Sequence, residues 1–174
     1  SVVASGSIDV SGWSAQGGSY YINSTTTNKL TLQAGANIWI GDKINLPSGT
    51  LELLAGTSVN QSSAGSIYAN TLILGSSDGG VNKPSVTLNT ASNYITNIQA
   101  SNISSLNVYN AQTLTVNANG ITAAGAVTLT STNAISVAGN ITTTGSGNAV
   151  LLKGAGNISL ASGKSITTSG GSVR

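Results

Sequence analysis

No cysteine, histidine, methionine or phenylalanine occurs anywhere in this sequence, and charged residues make up only 6% of it. Without cysteine there is neither a disulfide framework nor a thiolate metal site. Without histidine the chain also lacks the commonest general base and metal ligand. Ordinary soluble domains carry about 25% charged residues. Here six Lys and Arg (Lys29, Lys43, Lys83, Lys153, Lys164, Arg174) face four acids (Asp9, Asp42, Glu52, Asp78). The net charge of +2 is therefore spread over scattered groups. No basic cluster is present to neutralise a run of phosphates, so a nucleic-acid partner is not expected. No apolar run approaches the ~20 residues of a membrane-spanning helix. Ser1-Val2-Val3 carries no secretory leader and reads as a cut point or a mature end, so the chain is expected to be an excerpt of something longer.

What the sequence does contain is 39% hydrophobic residues, mostly Val, Ile, Leu and Ala, set among Gly, Ser, Thr and Asn. The aliphatic residues run evenly from Val2 to Val173. Disordered chains combine low hydrophobicity with high net charge, and this chain has neither.

The aliphatic residues recur at a fixed interval. Leu30-Thr31-Leu32, Leu51-Glu52-Leu53 and Leu72-Ile73-Leu74 begin 21 residues apart, and Ile8-Asp9-Val10 lies 22 residues before the first. In the second half, Leu106-Asn107-Val108, Val127-Thr128-Leu129 and Val150-Leu151-Leu152 form one series. Leu114-Thr115-Val116, Ile135-Ser136-Val137 and Ile158-Ser159-Leu160 form another, and Ile121, Ile141 and Ile166 begin a third. Each unit alternates apolar, polar, apolar, the two-residue period of a half-buried strand. The residues between them, as in Ala138-Gly139-Asn140, tolerate the backbone of a sharp bend. Three strands and three corners per ~21 residues predict an all-β fold: a parallel β-helix (β-solenoid) with triangular coils stacked about 4.8 Å apart. The general preference of parallel crossovers makes it right-handed. Eight coils would stand roughly 38 Å tall at that spacing. The whole of 1–174 reads as a single β-solenoid segment, with an irregular N-terminal coil over 1–28 and a loop excursion over 75–85. Val86-Thr87-Leu88 is expected to return the chain to the wall. The recurring Asn-Ile pairs (Asn37, Asn97, Asn102, Asn140, Asn157) are expected at corners, with Asn taking a left-handed backbone or laddering between coils.

Little chemistry is available to such a chain. Asp9 and Glu52 both sit at the centre of an aligned triplet, which would place them on one face two coils, roughly 9–10 Å, apart. That separation would fit an inverting glycosidase pair, but no supporting acid, base or sugar platform accompanies it, and no enzymatic activity is expected. Asp42 and Asp78 are isolated in loops, so neither a metal site nor a cofactor is expected. The glycine-rich run from Gly75 to Gly80 precedes no helix and reads as a loop, with no phosphate role. Thr25-Thr26-Thr27, Thr142-Thr143-Thr144 and Thr167-Thr168 invite comparison with the threonine rows of ice-binding solenoids, although Thr is also an ordinary exposed strand residue. Among Trp13, Trp39, Tyr20, Tyr21, Tyr68, Tyr94 and Tyr109, the candidate ligand contacts are Trp39, Tyr20 and Tyr21. Alternation in Ile38-Trp39-Ile40 turns Trp39 away from its apolar neighbours.

The run from Lys29 to Ile38, together with Gly139-Asn140-Ile141-Thr142-Thr143-Thr144-Gly145 and the run from Ala149 to Leu160, resembles repeats of the filamentous-haemagglutinin-like exoproteins of two-partner secretion. The likeness covers most of the chain and is one of repeat style. It implies a right-handed β-helical shaft, secreted through an outer-membrane β-barrel partner and displayed at the bacterial surface in adhesion, aggregation or biofilm cohesion. The Asn-Pro-Asn motifs of that family's secretion domain do not occur here, so the resemblance is to the shaft and brings no site residues with it. The expected function is accordingly a structural and adhesive shaft segment, its partners host-cell or matrix glycans and further copies of itself, end to end or laterally. The alternative is a carbohydrate- or ice-binding module that uses a flat Thr/aromatic face.

Overall fold

The computed structural model describes residues 1–11, 22–89, 93–147 and 149–174. It is an all-β structure of parallel strands, wound as a solenoid of about 7 turns with coils about 21 residues apart. At the usual interstrand spacing the stack is roughly 34 Å tall, one coil shorter than the spacing of the apolar triplets suggested.

Each turn contributes three walls. The first holds Ile44 and Leu46, then Ile67 and Ala69, then Tyr94 and Ile95. The second runs through Val2–Ala4, Lys29–Ala34 and the later residues of Lys43–Ala55 and Ser66–Ser76, with Leu30 beside Leu51 and Leu51 beside Leu72. Higher up it continues through Ile98, Val116, Val137 and Leu160 and, past a register shift, through Ile121, Ile141 and Ile166. These two walls form one 11-stranded sheet, because several strands round the corner between them without a break. Lys43–Ala55 does so at a register shift between Leu46 and Thr50, where Pro47 sits exposed. That is where a residue with no N–H to donate does least harm to a ladder. The third wall is a separate 7-stranded sheet containing Ile8–Val10, Asn37–Ile40, Ser58–Gln61, Ser85–Leu88, Ser105–Asn110, Val127–Ser131 and Val150–Gly154.

Alternation decides what each wall buries. Inward residues such as Ile38, Ile40, Leu51, Leu53, Leu72, Ile98, Val108, Leu129 and Ile141 are fully buried in one continuous aliphatic column. Burying a side chain of this size contributes about 1.5–3 kcal/mol. Each coil renews that contribution, because the column has no gap along the described walls.

The three second-half series pair as their spacing predicted, and so do Leu30, Leu51 and Leu72. One alignment is corrected. Ile8-Asp9-Val10 does not precede Leu30 in its wall: Ile8 pairs with Ile38 and Val10 with Ile40, and the segment beside Lys29–Ala34 is Val2–Ala4. Two strands with the same apolar-polar-apolar pattern are interchangeable on paper, and a 22-residue interval looked like one turn. The in-register partner of Ile8, Ile38, lies 30 residues on in the sequence, not 22.

Corners close by backbone bonds to the coil below. Gly35 N donates to Ala4 O at 2.9 Å, Gly56 N to Ala34 O at 3.0 Å, and Ser77 N to Ala55 O at 3.1 Å. At Gly56 the approach is so tight that a Cβ would sit 2.0 Å from the Gly35 carbonyl oxygen, so only glycine fits. Among the Asn-Ile asparagines, only Asn102 takes the left-handed backbone, at φ 54°.

An amide ladder holds another corner. Gln61 and Asn93 bond reciprocally, Nε2 to Oδ1 at 2.6 Å and Nδ2 to Oε1 at 3.0 Å, and Asn93 Oδ1 also accepts from Ile67 N. One coil on, Asn110 Oδ1 accepts from Ile95 N at 2.8 Å while its Nδ2 donates to Ile95 O and Gln112 O. Ser131 Oγ then donates to Gln112 O. These side chains are buried and fully partnered, as buried polar groups must be.

Between Ser76 and Ser85 the chain leaves the wall and returns at Ser85–Leu88, whose Val86 pairs with Val59 on one side and Leu106 on the other. Gly75 and Ser76 still pair with Leu54 and Ala55. The Asp78 carboxylate organises the excursion, accepting from the Ser76 hydroxyl, from Gly80 N and from both Asn82 N and Asn82 Nδ2. Those donors hold Asp78 at a pKa of about 2, below the ordinary carboxylate value.

Candidate functional site

The third wall carries the best-placed candidate. Ile38 and Ile40 enter the core while Trp39, between them, points outward and is 41% exposed. Its neighbours in register are Asp9 below and Asn60 above. The column continues through Thr87, Asn107, Thr128 and Leu151. A parallel column holds Asn37, Ser58, Ser85 and Ser105. The two are tied at one point, where Asn60 Nδ2 donates to Ser58 Oγ at 2.7 Å and Ser58 Oγ donates to Asn37 Oδ1 at 2.8 Å. Tyr109 lies farther along the strand of Asn107, and Thr130 and Lys153 follow it upward. Tyr20 and Tyr21, the other two candidate contacts, lie outside the described residues, as does Trp13.

A second aromatic cluster stands on the first wall. Tyr68 and Tyr94 are in register and stack, ring centroids 4.5 Å apart and inclined by 18°. Lys43 Nζ lies 4.1 Å from the Tyr68 ring centroid, a cation–π contact. Burial, then the neighbouring Tyr94, pushes the Tyr68 phenol up. Below the pair, Asn45 Nδ2 donates to Asn23 Oδ1 at 2.7 Å. The sequence names both tyrosines but hides their pairing, because the excursion around Asp78 lies between them and breaks the 21-residue spacing.

No family model, curated protein or solved structure matches this chain. The geometry therefore has to carry the functional reading.

Asp9 and Glu52 do not share a face. Asp9 pairs with Trp39 in the third wall, whereas Glu52 lies in the second between Thr31 and Ile73. The misplaced first triplet had put them together. Glu52 is committed instead to Lys29 Nζ at 2.8 Å and to the Thr31 hydroxyl at 2.8 Å. Among the described residues no group of three or more Asp, Glu, His or Cys side chains comes together. A shallow depression of about 60 Å³ beside Gln99, Asn119 and Gly120 has room only for water, against the ~300 Å³ at which ligand pockets begin.

The threonine runs divide. Thr142 lies in register between Thr122 and Thr167, all three exposed on the second wall. Thr143 instead turns inward, its hydroxyl bonded to Gly125 O. Thr25, Thr26 and Thr27 sit in an exposed bend before Lys29–Ala34 and join no column.

Proposed function

We propose that this chain is a structural and adhesive shaft segment of a large secreted bacterial surface protein. The supporting observation is the uninterrupted solenoid. Parallel backbone hydrogen bonds run along the axis, an aliphatic column fills the interior, and the few charges are scattered over the outer faces. Such a rod resists compression and bending, and its low surface charge lets other surfaces approach with little repulsion. The repeat style it shares with filamentous-haemagglutinin-like exoproteins supports secretion through an outer-membrane barrel and display at the cell surface. Another coil placed over Ile158 and Leu160, from a second copy or a continuing chain, would extend the 11-stranded sheet and give end-to-end growth. Expression on the surface of an otherwise non-adherent bacterium tests the reading. Increased retention on matrix-coated glass, or clumping of the cells, is expected. Retention and clumping equal to cells displaying an unrelated domain would overturn it.

A second reading rests on the outward Trp39: a carbohydrate-binding module that uses the flat third wall. Ice binding, the other form of that reading, would rest on the column of Thr122, Thr142 and Thr167, only three coils tall. Thermal hysteresis in a freezing-point assay separates it from the glycan reading.

A further inference from the structure

The outer surface of the third wall is a regular face that runs through all seven strands of its sheet. Its central stretch, from Asn37 and Trp39 up to Tyr109 and Thr130, presents amides, hydroxyls and two aromatic rings and contains no charged residue among the in-register positions. Asp9 and Lys153 lie just beyond that stretch, one at each end.

Among the described residues, part of the polar surface here makes no side-chain hydrogen bond within the chain, as is also true of Thr122, Thr142 and Thr167 on the second wall. Elsewhere on the second wall Thr31 and Lys29 both bond Glu52, and Gln99 Oε1 accepts from both Asn117 and Asn119. On the third wall, among the described residues, the Trp39 indole N–H, the Asn107 amide and the hydroxyls of Thr87, Thr128 and Tyr109 make no side-chain hydrogen bond within the chain. Their donors and acceptors lie on the outer face of the coils of Trp39, Thr87, Asn107 and Thr128, while Asn60, on the coil between Trp39 and Thr87, is bonded to Ser58.

We propose that this face binds a neutral oligosaccharide laid along the solenoid axis, from Trp39 across Thr87 and Asn107 to Tyr109. Sugars offer apolar ring faces and a rim of hydroxyls. The first suit Trp39 and Tyr109, and the second suit the intervening amides and hydroxyls. The lack of charge argues against sulfated or nucleic-acid polyanions, which need cationic partners. Trp39 and the strand of Tyr109 are three coil steps apart, roughly 14 Å along the axis. Tyr109 stands two residues beyond Asn107 along that strand, a further displacement of about 7 Å. One sugar ring cannot touch both aromatics, so the site is specific for chain length. This inference deepens the adhesive reading by naming its ligand class and contact face.

The test is an array of neutral hexose and N-acetylhexosamine oligosaccharides graded from monosaccharide to hexasaccharide, probed with the whole chain. Binding that strengthens with length is expected. Trp39→Ala and Tyr109→Ala should each weaken it about tenfold, the order expected for loss of one aromatic contact. Tyr94→Ala, on another wall, should leave it unchanged, with circular dichroism checking the fold of each variant. The proposal falls if no neutral oligosaccharide binds, if only sulfated or sialylated controls bind, if affinity does not depend on length, or if the third-wall variants bind like the parent. Cells displaying the chain that are still retained on matrix while the array stays blank would leave the adhesive reading standing and remove this one. Array binding without retention would do the reverse.

Discussion

Replacing Asn110 by alanine should destabilise the solenoid far more than any outward polar change on the same strand. Asn110 is fully buried, and its amide closes three bonds: Ile95 N to Oδ1 at 2.8 Å, Nδ2 to Ile95 O at 2.9 Å and Nδ2 to Gln112 O at 2.8 Å. Truncation leaves the Ile95 N–H and C=O without these partners. Gln112 O keeps the Ser131 hydroxyl at 2.7 Å. A buried polar group left unpaired costs about 1–3 kcal/mol, so two of them give roughly 2–6 kcal/mol. Water entering the small vacancy pulls the figure toward the lower end, and about 3 kcal/mol is the expected loss. Asn107→Ala, three residues earlier and outward, should stay within about 0.5 kcal/mol. Urea unfolding followed by circular dichroism gives the comparison, read as a shift in midpoint at constant slope. Because a solenoid unfolds by neighbouring repeats, amide hydrogen exchange of Ile95 should report the same loss locally. Equal effects from the two substitutions would refute the claim that the amide ladder, and not strand pairing alone, holds this corner.

Gly56→Ala places a methyl 2.0 Å from the Gly35 carbonyl oxygen, and separating two hydrogen-bonded coils to fit it should cost about 1–3 kcal/mol in the same unfolding assay. Gly6→Ala, with nothing within 4 Å of the added carbon, is the control and should be neutral. For Asp78 the folded pKa lies below the unfolded one. Its carboxylate therefore supports the excursion fully above the ordinary carboxylate range, and that support fades as pH falls from about 3.8 through about 2. A carboxyl-carbon NMR titration should show a midpoint near 2, and a midpoint at 3.8 would mean that the Ser76, Gly80 and Asn82 donors do not hold it in solution.

The sequence alone was enough for the class of fold, because a solenoid repeats one local rule. Alternation in Leu51-Glu52-Leu53 or Val127-Thr128-Leu129 marks a strand with one face buried, glycine and asparagine mark the bends, and a spacing near 21 stacks like on like. Alternation also told which way Trp39 points, since flanking isoleucines that enter the core force the residue between them out. The wall to which a strand belongs was not legible wherever the spacing broke. All three walls share one pattern, so Ile8-Asp9-Val10 fitted two of them, and only parallel pairing with Ile38 and Ile40 separated Asp9 from Glu52. The ladder of Gln61, Asn93 and Asn110 was equally hidden, because a buried amide and a surface amide look alike until the fold decides which corner closes around them. The Tyr68–Tyr94 stack and the column from Trp39 to Asn107 likewise exist only through register. Local chemistry sets which side of the wall a residue faces. Which residues become neighbours is set by hydrogen bonds between coils, across separations in sequence that insertions freely change.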